Sequence, residues 1–211
     1  MTAPGGAVGT HAAATDAGAD SMRRRIVGLC RYKMQASPKF INLVGLAERG
    51  EANAKIVQRM VDRGLMTWWD GGGRPKPTIL GRSLIMGAQL GITFLDACIL
   101  SVIYRYARMM SGAKPGDAAP ASNMRAITVP LKTIQNYLID WPCGEPMIGK
   151  SISRLRAAGL LPRASNRRVI CDLKHLAGVH DSLVELNAWV ERTSEEMRMM
   201  LITPRAQGAA P

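Results

Sequence analysis

Two short stretches of this chain gather hydrogen-bond donors and positive charge at helical spacing. In the first, Lys55, Gln58, Arg59 and Arg63 occupy the arc left free when Ile56, Val57, Met60 and Val61 are turned inward. In the second, an inward set of Ile148, Ile152, Leu155 and Ala158 leaves Lys150, Ser151, Ser153, Arg154 and Arg156 outward. Guanidinium, amide, ammonium and hydroxyl groups in this pattern do recognition chemistry rather than bond making. Arg pairs with guanine edges and Gln with adenine, while Lys and Ser more often fix register on phosphates. Asn53 stands where a helix N-cap would introduce the first set. Each set is followed by a basic, turn-rich stretch, with Arg74 and Lys76 after the first and Arg163, Arg167 and Arg168 after the second. These would add contacts to a nucleic-acid backbone or minor groove.

Reactive constellations are missing from the sequence. His11, His175 and His180 have no acid or nucleophile at a recognisable spacing. Gly71-Gly72-Gly73 lacks the Lys-Ser/Thr of a phosphate-binding loop, and no G-x-S-x-G occurs. Cys30, Cys98, Cys143 and Cys171 form no C-x-x-C pair and have no histidine at zinc-ligand spacing. The expectation is therefore no enzyme, no cofactor and no metal, with reduced thiols in a cytoplasmic, bacterial, nucleoid-associated protein.

The elements that must carry the donor sets appear twice. Residues 41–82 and 129–174 each read as an amphipathic helix, a polar turn, a second helix ending at a glycine, and a basic hairpin. In the first copy Leu43, Leu46 and Ala47 form one stripe, Gly50 ends that helix, and Gly64 suits the left-handed position after the next. Leu65–Asp70 and Thr78-Ile79-Leu80 read as the hairpin's strands. In the second copy Leu131, Ile134, Tyr137 and Leu138 form the stripe, Pro146 suits a helix start, and Gly159 closes the helix. Leu160-Leu161 and Val169-Ile170-Cys171 read as strands. This order resembles winged helix-turn-helix DNA-binding domains. In the first copy R-M-V-D-R-G-L-M, followed by D-G-G-G-R-P-K-P-T-I-L-G-R-S-L, resembles the recognition helix, wing and following helix of multiple-antibiotic-resistance (MarR) type regulators. The resemblance implies a mainly α fold with small β-hairpin wings, in which two winged helix-turn-helix units are joined by a long apolar helix and a linker.

Charge agrees with a polyanionic partner. The formal net charge is +12, and 148–174 hold seven basic side chains against Asp172, whereas 180–202 hold five acids against two arginines. Residues 1–21 read as a disordered tail, 22–110 as the first winged unit with its apolar helix, 111–126 as a linker, 127–203 as the second unit, and 204–211 as a second tail. The stretch 83–110 is apolar on every face and must be covered all round. Gln89, Thr93, Ser101 and Asp96 argue against a membrane span there, so a second subunit or the other winged unit must supply the cover; a homodimer through this helix is the expectation, and it would also match paired half-sites on DNA. Trp141 reads as a turn-packing residue, and at least one of Trp68 and Trp69 as core. The functional expectation is a sequence-specific regulator of transcription bound to double-stranded DNA. The alternatives are a plasmid or phage replication initiator, which also resembles tandem winged helices, and an architectural or protein-binding module.

Overall fold

The computed structural model describes residues 21, 24, 38–68, 74–114, 126–139, 141, 143–164 and 168–206, the side chains of 38–40 and 200–206 excepted. It is mostly helical, with two small antiparallel two-stranded sheets. Helix α1 (Pro38–Arg49) buries Leu43, Val44 and Ala47. Its chain reverses at Gly50 into α2 (Ala54–Asp62), whose first turn is capped by the Asn53 side chain accepting from the Lys55 amide. Gly64, at φ +69°, takes the left-handed conformation after α2. Strands β1 (Met66–Thr67) and β2 (Lys76–Pro77) then pair, with Met66 opposite Pro77.

Helix α3 (Ile79–Leu90) starts directly behind β2, because the Thr78 hydroxyl accepts from the Gly81 amide and donates to the Gly64 carbonyl. A helix start here replaces the strand expected at 78–80. Helix α4 (Phe94–Met110) follows after a bend of 96°. The apolar run 83–110 is thus two helices rather than one. Gly91 ends the first at φ +68°, and Thr93 opens the second through a reciprocal cap with Asp96. In that cap the Asp96 amide donates to Thr93 Oγ1 at 3.2 Å, and the Thr93 amide donates to Asp96 Oδ2 at 3.0 Å. Among the described residues no single helix is long and apolar enough to cross a membrane.

Helix α4 is the axis of the remaining structure. It packs against α5 (Leu131–Tyr137), α6 (Glu145–Ala157) and α7 (His180–Ala206), and against β3 (Ile127–Pro130) and β4 (Arg168–Cys171). Every residue from Phe94 to Tyr104 is buried. Enclosing a large apolar side chain contributes about 1.5–3 kcal/mol, so Phe94, Leu95, Ile99, Leu100 and Ile103 make this helix a principal source of core stability. The cover that an all-round apolar helix needs comes from the same chain. Of the two covers expected, the other half of the chain supplies this one, which leaves paired half-sites on DNA as the remaining reason to expect a homodimer.

The second sheet also differs from expectation. Its strand β4 pairs with β3, which precedes α5, in the register Ile127–Cys171 through Pro130–Arg168. Leu160 and Leu161 are buried but form no strand. Helix α7 seals the assembly with Leu183, Leu186, Val190 and Met197. Trp141 is buried as a packing residue, donating to Ser194 Oγ at 2.8 Å and meeting Trp189 edge-on, which in turn meets Phe94. The tail expected from 204 begins inside α7; residues 1–20, most of the 111–126 linker, Trp69 and Cys30 lie outside the described residues.

Candidate nucleic-acid interface

Two helices carry the donor sets on separate supports: α2 rests chiefly on β1, and α6 rests on α4. On α2, Val57 alone is fully buried, Met60 and Val61 are half-buried, and Lys55, Arg59, Asp62 and Arg63 are exposed. Ile56, expected inside, is 43% exposed. With a helix only nine residues long, one buried anchor and two flanking contacts suffice to seat it, and Ile56 falls outside that arc.

Gln58 is exposed but already engaged at both ends. Its Nε2 donates to Asp62 Oδ1 at 2.9 Å, and its Oε1 accepts from Trp68 Nε1 at 3.1 Å. A carboxylate one turn ahead and an indole at the end of β1 therefore fix the amide, so it does not present both functions to an adenine edge in this arrangement. Trp68 remains 42% exposed beside it. Arg74, assigned to the hairpin tip, is folded back, donating from Nη1 to the Glu48 carbonyl at 2.6 Å. It thereby satisfies a carbonyl of the last turn of α1, a site where cations are favoured. Lys76 is exposed on β2 opposite Thr67.

Helix α6 departs most from the sequence expectation. Ser151 has no exposed surface, so it does not face outward. Arg154 grips the carboxylate of Asp96 with both arms of its guanidinium, Nε to Oδ2 at 2.9 Å and Nη2 to Oδ1 at 2.6 Å, and Nη2 also donates to Ser151 Oγ at 3.0 Å. Such two-point contact is the strong form of an Arg–carboxylate pair. Burial pushes the Asp96 carboxyl up, but hydrogen bonds from Arg154, Ser151 and Thr93 outweigh it and hold the carboxyl below its usual value. The same pair raises the Arg154 pKa further. Arg154 and Ser151 are thus removed from the outward recognition set. Ala158, placed inward, is exposed. Lys150 and Ser153 keep the expected outward positions, with Ser153 Oγ donating to the Gly149 carbonyl at 3.1 Å.

At the second basic stretch Arg163 and Arg168 are exposed, and Arg167 lies outside the described residues. Arg156 clips α6 to β4 by donating to the Arg168 carbonyl at 2.9 Å. Asp96 was the functional neighbour that charge counting along α6 missed. One readable signal pointed to it: Thr93-x-x-Asp96 is a helix-start signature. Among the described residues no group of three or more His, Cys, Asp or Glu could hold a metal ion.

No family model, curated protein or solved structure matches the chain.

Proposed function

We propose that this chain is a sequence-specific double-stranded DNA-binding protein that regulates transcription through two winged helix-turn-helix units. The first unit would comprise α1, α2, β1, β2 and α3. The second would comprise α4, β3, α5, α6 and β4, so that α4 is its first helix rather than a connector. The observation that carries the reading is the outer face of α2. Lys55, Arg59 and Arg63 are exposed together on a helix that is capped at its start and followed at once by an antiparallel strand pair bearing Lys76. A major groove about 12 Å wide admits one helix, and its edges call for such donors. Lys150 and Ser153 on α6, with Arg163 and Arg168 beyond it, would make the second contact set.

The test is selection from random duplex DNA at two salt concentrations with the full chain. Enrichment of a defined site, with affinity falling as salt rises, supports the proposal. Half-site spacing then reports whether one chain or two occupies the site. Absence of binding at low salt refutes it and moves the reading to a protein partner, for which the exposed large apolar residues Ile56 and Trp68 would be candidate contacts. A second reading, replication initiation, draws on the presence of two helix pairs, α1–α2 and α5–α6, each followed by a strand, within one chain. It predicts that the selected sites are repeated iterons at an origin instead of a promoter operator.

A further inference from the structure

Lys55, Gln58, Arg59 and Asp62 follow one another on α2 at helical intervals and so share its outer face. Gln58 is exposed in the middle of that row, and its amide bridges two elements. Nε2 donates at 2.9 Å to Asp62 Oδ1, one turn on, and Oε1 accepts at 3.1 Å from Nε1 of Trp68, just past β1. These partners allow the amide one orientation. An indole N–H can only donate and an ionised carboxylate can only accept. The oxygen must therefore face Trp68 and the nitrogen Asp62, because the reverse would set N–H against N–H and oxygen against oxygen.

The two contacts differ in origin. A Gln and an Asp four positions apart can meet on any helix. The Trp68 contact is tertiary and depends on β1. Met66 is buried and Thr67 exposed, and β1 packs against α2. Alternate residues of an extended chain point to the same side, so Trp68, two on from Met66, is turned toward α2. Its ring remains 42% exposed. Trp68 is therefore not a core residue, and its one polar atom is directed at Gln58.

A side-chain amide reads adenine in the major groove by donating to N7 and accepting from the N6 amino group at once. Oε1 of Gln58 is the atom that would accept, and Trp68 holds it. We infer that Trp68 is a positioning residue that sets the base preference of α2. By withholding the Gln58 oxygen, the indole leaves the base pair under Gln58 to meet an N–H donor alone. The N7 atoms of adenine and guanine satisfy such a donor equally, so adenine gains no preference there. This inference rests on the DNA reading above. Its consequence is that one substitution outside the recognition helix changes the preferred site.

The experiment is site selection from random duplex DNA with the full chain, with Trp68→Phe, and with Trp68→Phe in a Gln58→Ala background. Trp68→Phe keeps an aromatic ring at an exposed position and removes the N–H, so the melting midpoint should hold. It should raise the preference for adenine over guanine about tenfold at one position of the site, the discrimination that a two-point amide contact supplies. In the Gln58→Ala background the same substitution should change no position, which separates release of Gln58 from loss of a direct Trp68 contact. A readout without DNA runs alongside: in NMR spectra of the free chain, Gln58→Ala should speed solvent exchange of the Trp68 indole N–H. An unchanged exchange rate overturns the hydrogen bond and the inference with it. If the parent chain selects a defined site but Trp68→Phe alters no position, or alters one that Gln58→Ala does not restore, the inference falls and the DNA reading stands. If the parent chain binds no DNA while the exchange result is as expected, the DNA reading falls and Trp68 has no part in base choice.

Discussion

Replacing Arg154 with Ala separates two roles that a basic helix residue can have. If Arg154 reads a base, the variant is stable and binds DNA poorly. If it serves as the partner of Asp96, the variant is destabilised first. The substitution removes two charge-assisted hydrogen bonds, at 2.9 and 2.6 Å, from a carboxylate with no exposed surface. Each such bond contributes about 1.5–3 kcal/mol when enclosed. The Arg154 side chain is 47% exposed, so water screens part of this, and the expected cost is about 2 kcal/mol. For a chain of this length that lowers the melting midpoint by about 4–8 °C. Arg154→Lys keeps the charge but only one point of contact, and should recover about half.

The pH dependence has a definite sign. The folded carboxyl is held below its usual value, so the unfolded chain binds the extra proton. The stability gap between the parent chain and Arg154→Ala is full above the unfolded carboxylate pKa of about 3.9 and closes as pH falls below it. Urea unfolding at pH 7 and at progressively lower pH measures this directly. An unchanged midpoint at pH 7, combined with a tenfold loss of DNA affinity, would refute the structural role and restore Arg154 to the recognition face.

Other consequences are simpler to state. Arg59→Ala should weaken DNA binding by about 1–3 kcal/mol at a preferred site without moving the melting midpoint, whereas Arg168→Ala should weaken all sequences alike and reduce the salt slope by about 1; competition binding at several salt concentrations distinguishes them. Gly81→Ala would place its Cβ 2.2 Å from the Leu65 carbonyl oxygen, so chemical denaturation should show a loss of about 1–3 kcal/mol and disturbance of the β1–β2 pair. Burial pushes the Cys143 and Cys171 thiols up to about 11 and about 12, and Cys98 is fully enclosed. Native protein at pH 8 should therefore leave these three unlabelled by iodoacetamide over a period in which denatured chain reacts completely; rapid native labelling of Cys171 would contradict the packing of β4.

What the sequence made legible was mostly local. The Asn53 cap and the Gly64 reversal depend on neighbours within a turn or two, and each forms as the residue pattern suggests; in the α1 stripe Leu43 and Ala47 are buried as expected, but Val44 takes the place given to Leu46, which is half-buried. Trp141 was likewise legible as a packing residue. The pairing of β3 with β4 was not, because the partners lie about forty positions apart and Ile127-Thr128-Val129-Pro130 is too short to alternate visibly. Between Ser83 and Met110, uniform apolarity concealed the boundary that Gly91 and Thr93 impose. The recognition set failed where a distant acid intervened: a helical wheel of α6 cannot show that a carboxylate fifty-eight positions earlier will turn Arg154 aside. Gln58 shows the same limit at shorter range, since Trp68 reaches it only once β1 has folded against α2.

The placement of α4 bears on how the chain can be divided. A cut anywhere in 115–125 leaves α4 on the N-terminal piece and most of its cover, β3 through α7, on the other. Neither piece is then self-sufficient: one carries a bare apolar rod with Ile99, Leu100 and Ile103 uncovered, and the other carries the trough that encloses it. The halves would be expected to stay together after nicking and to assemble when co-expressed as two chains. Truncation at the boundary that the sequence suggests, by contrast, would yield an insoluble N-terminal half and an unfolded C-terminal one.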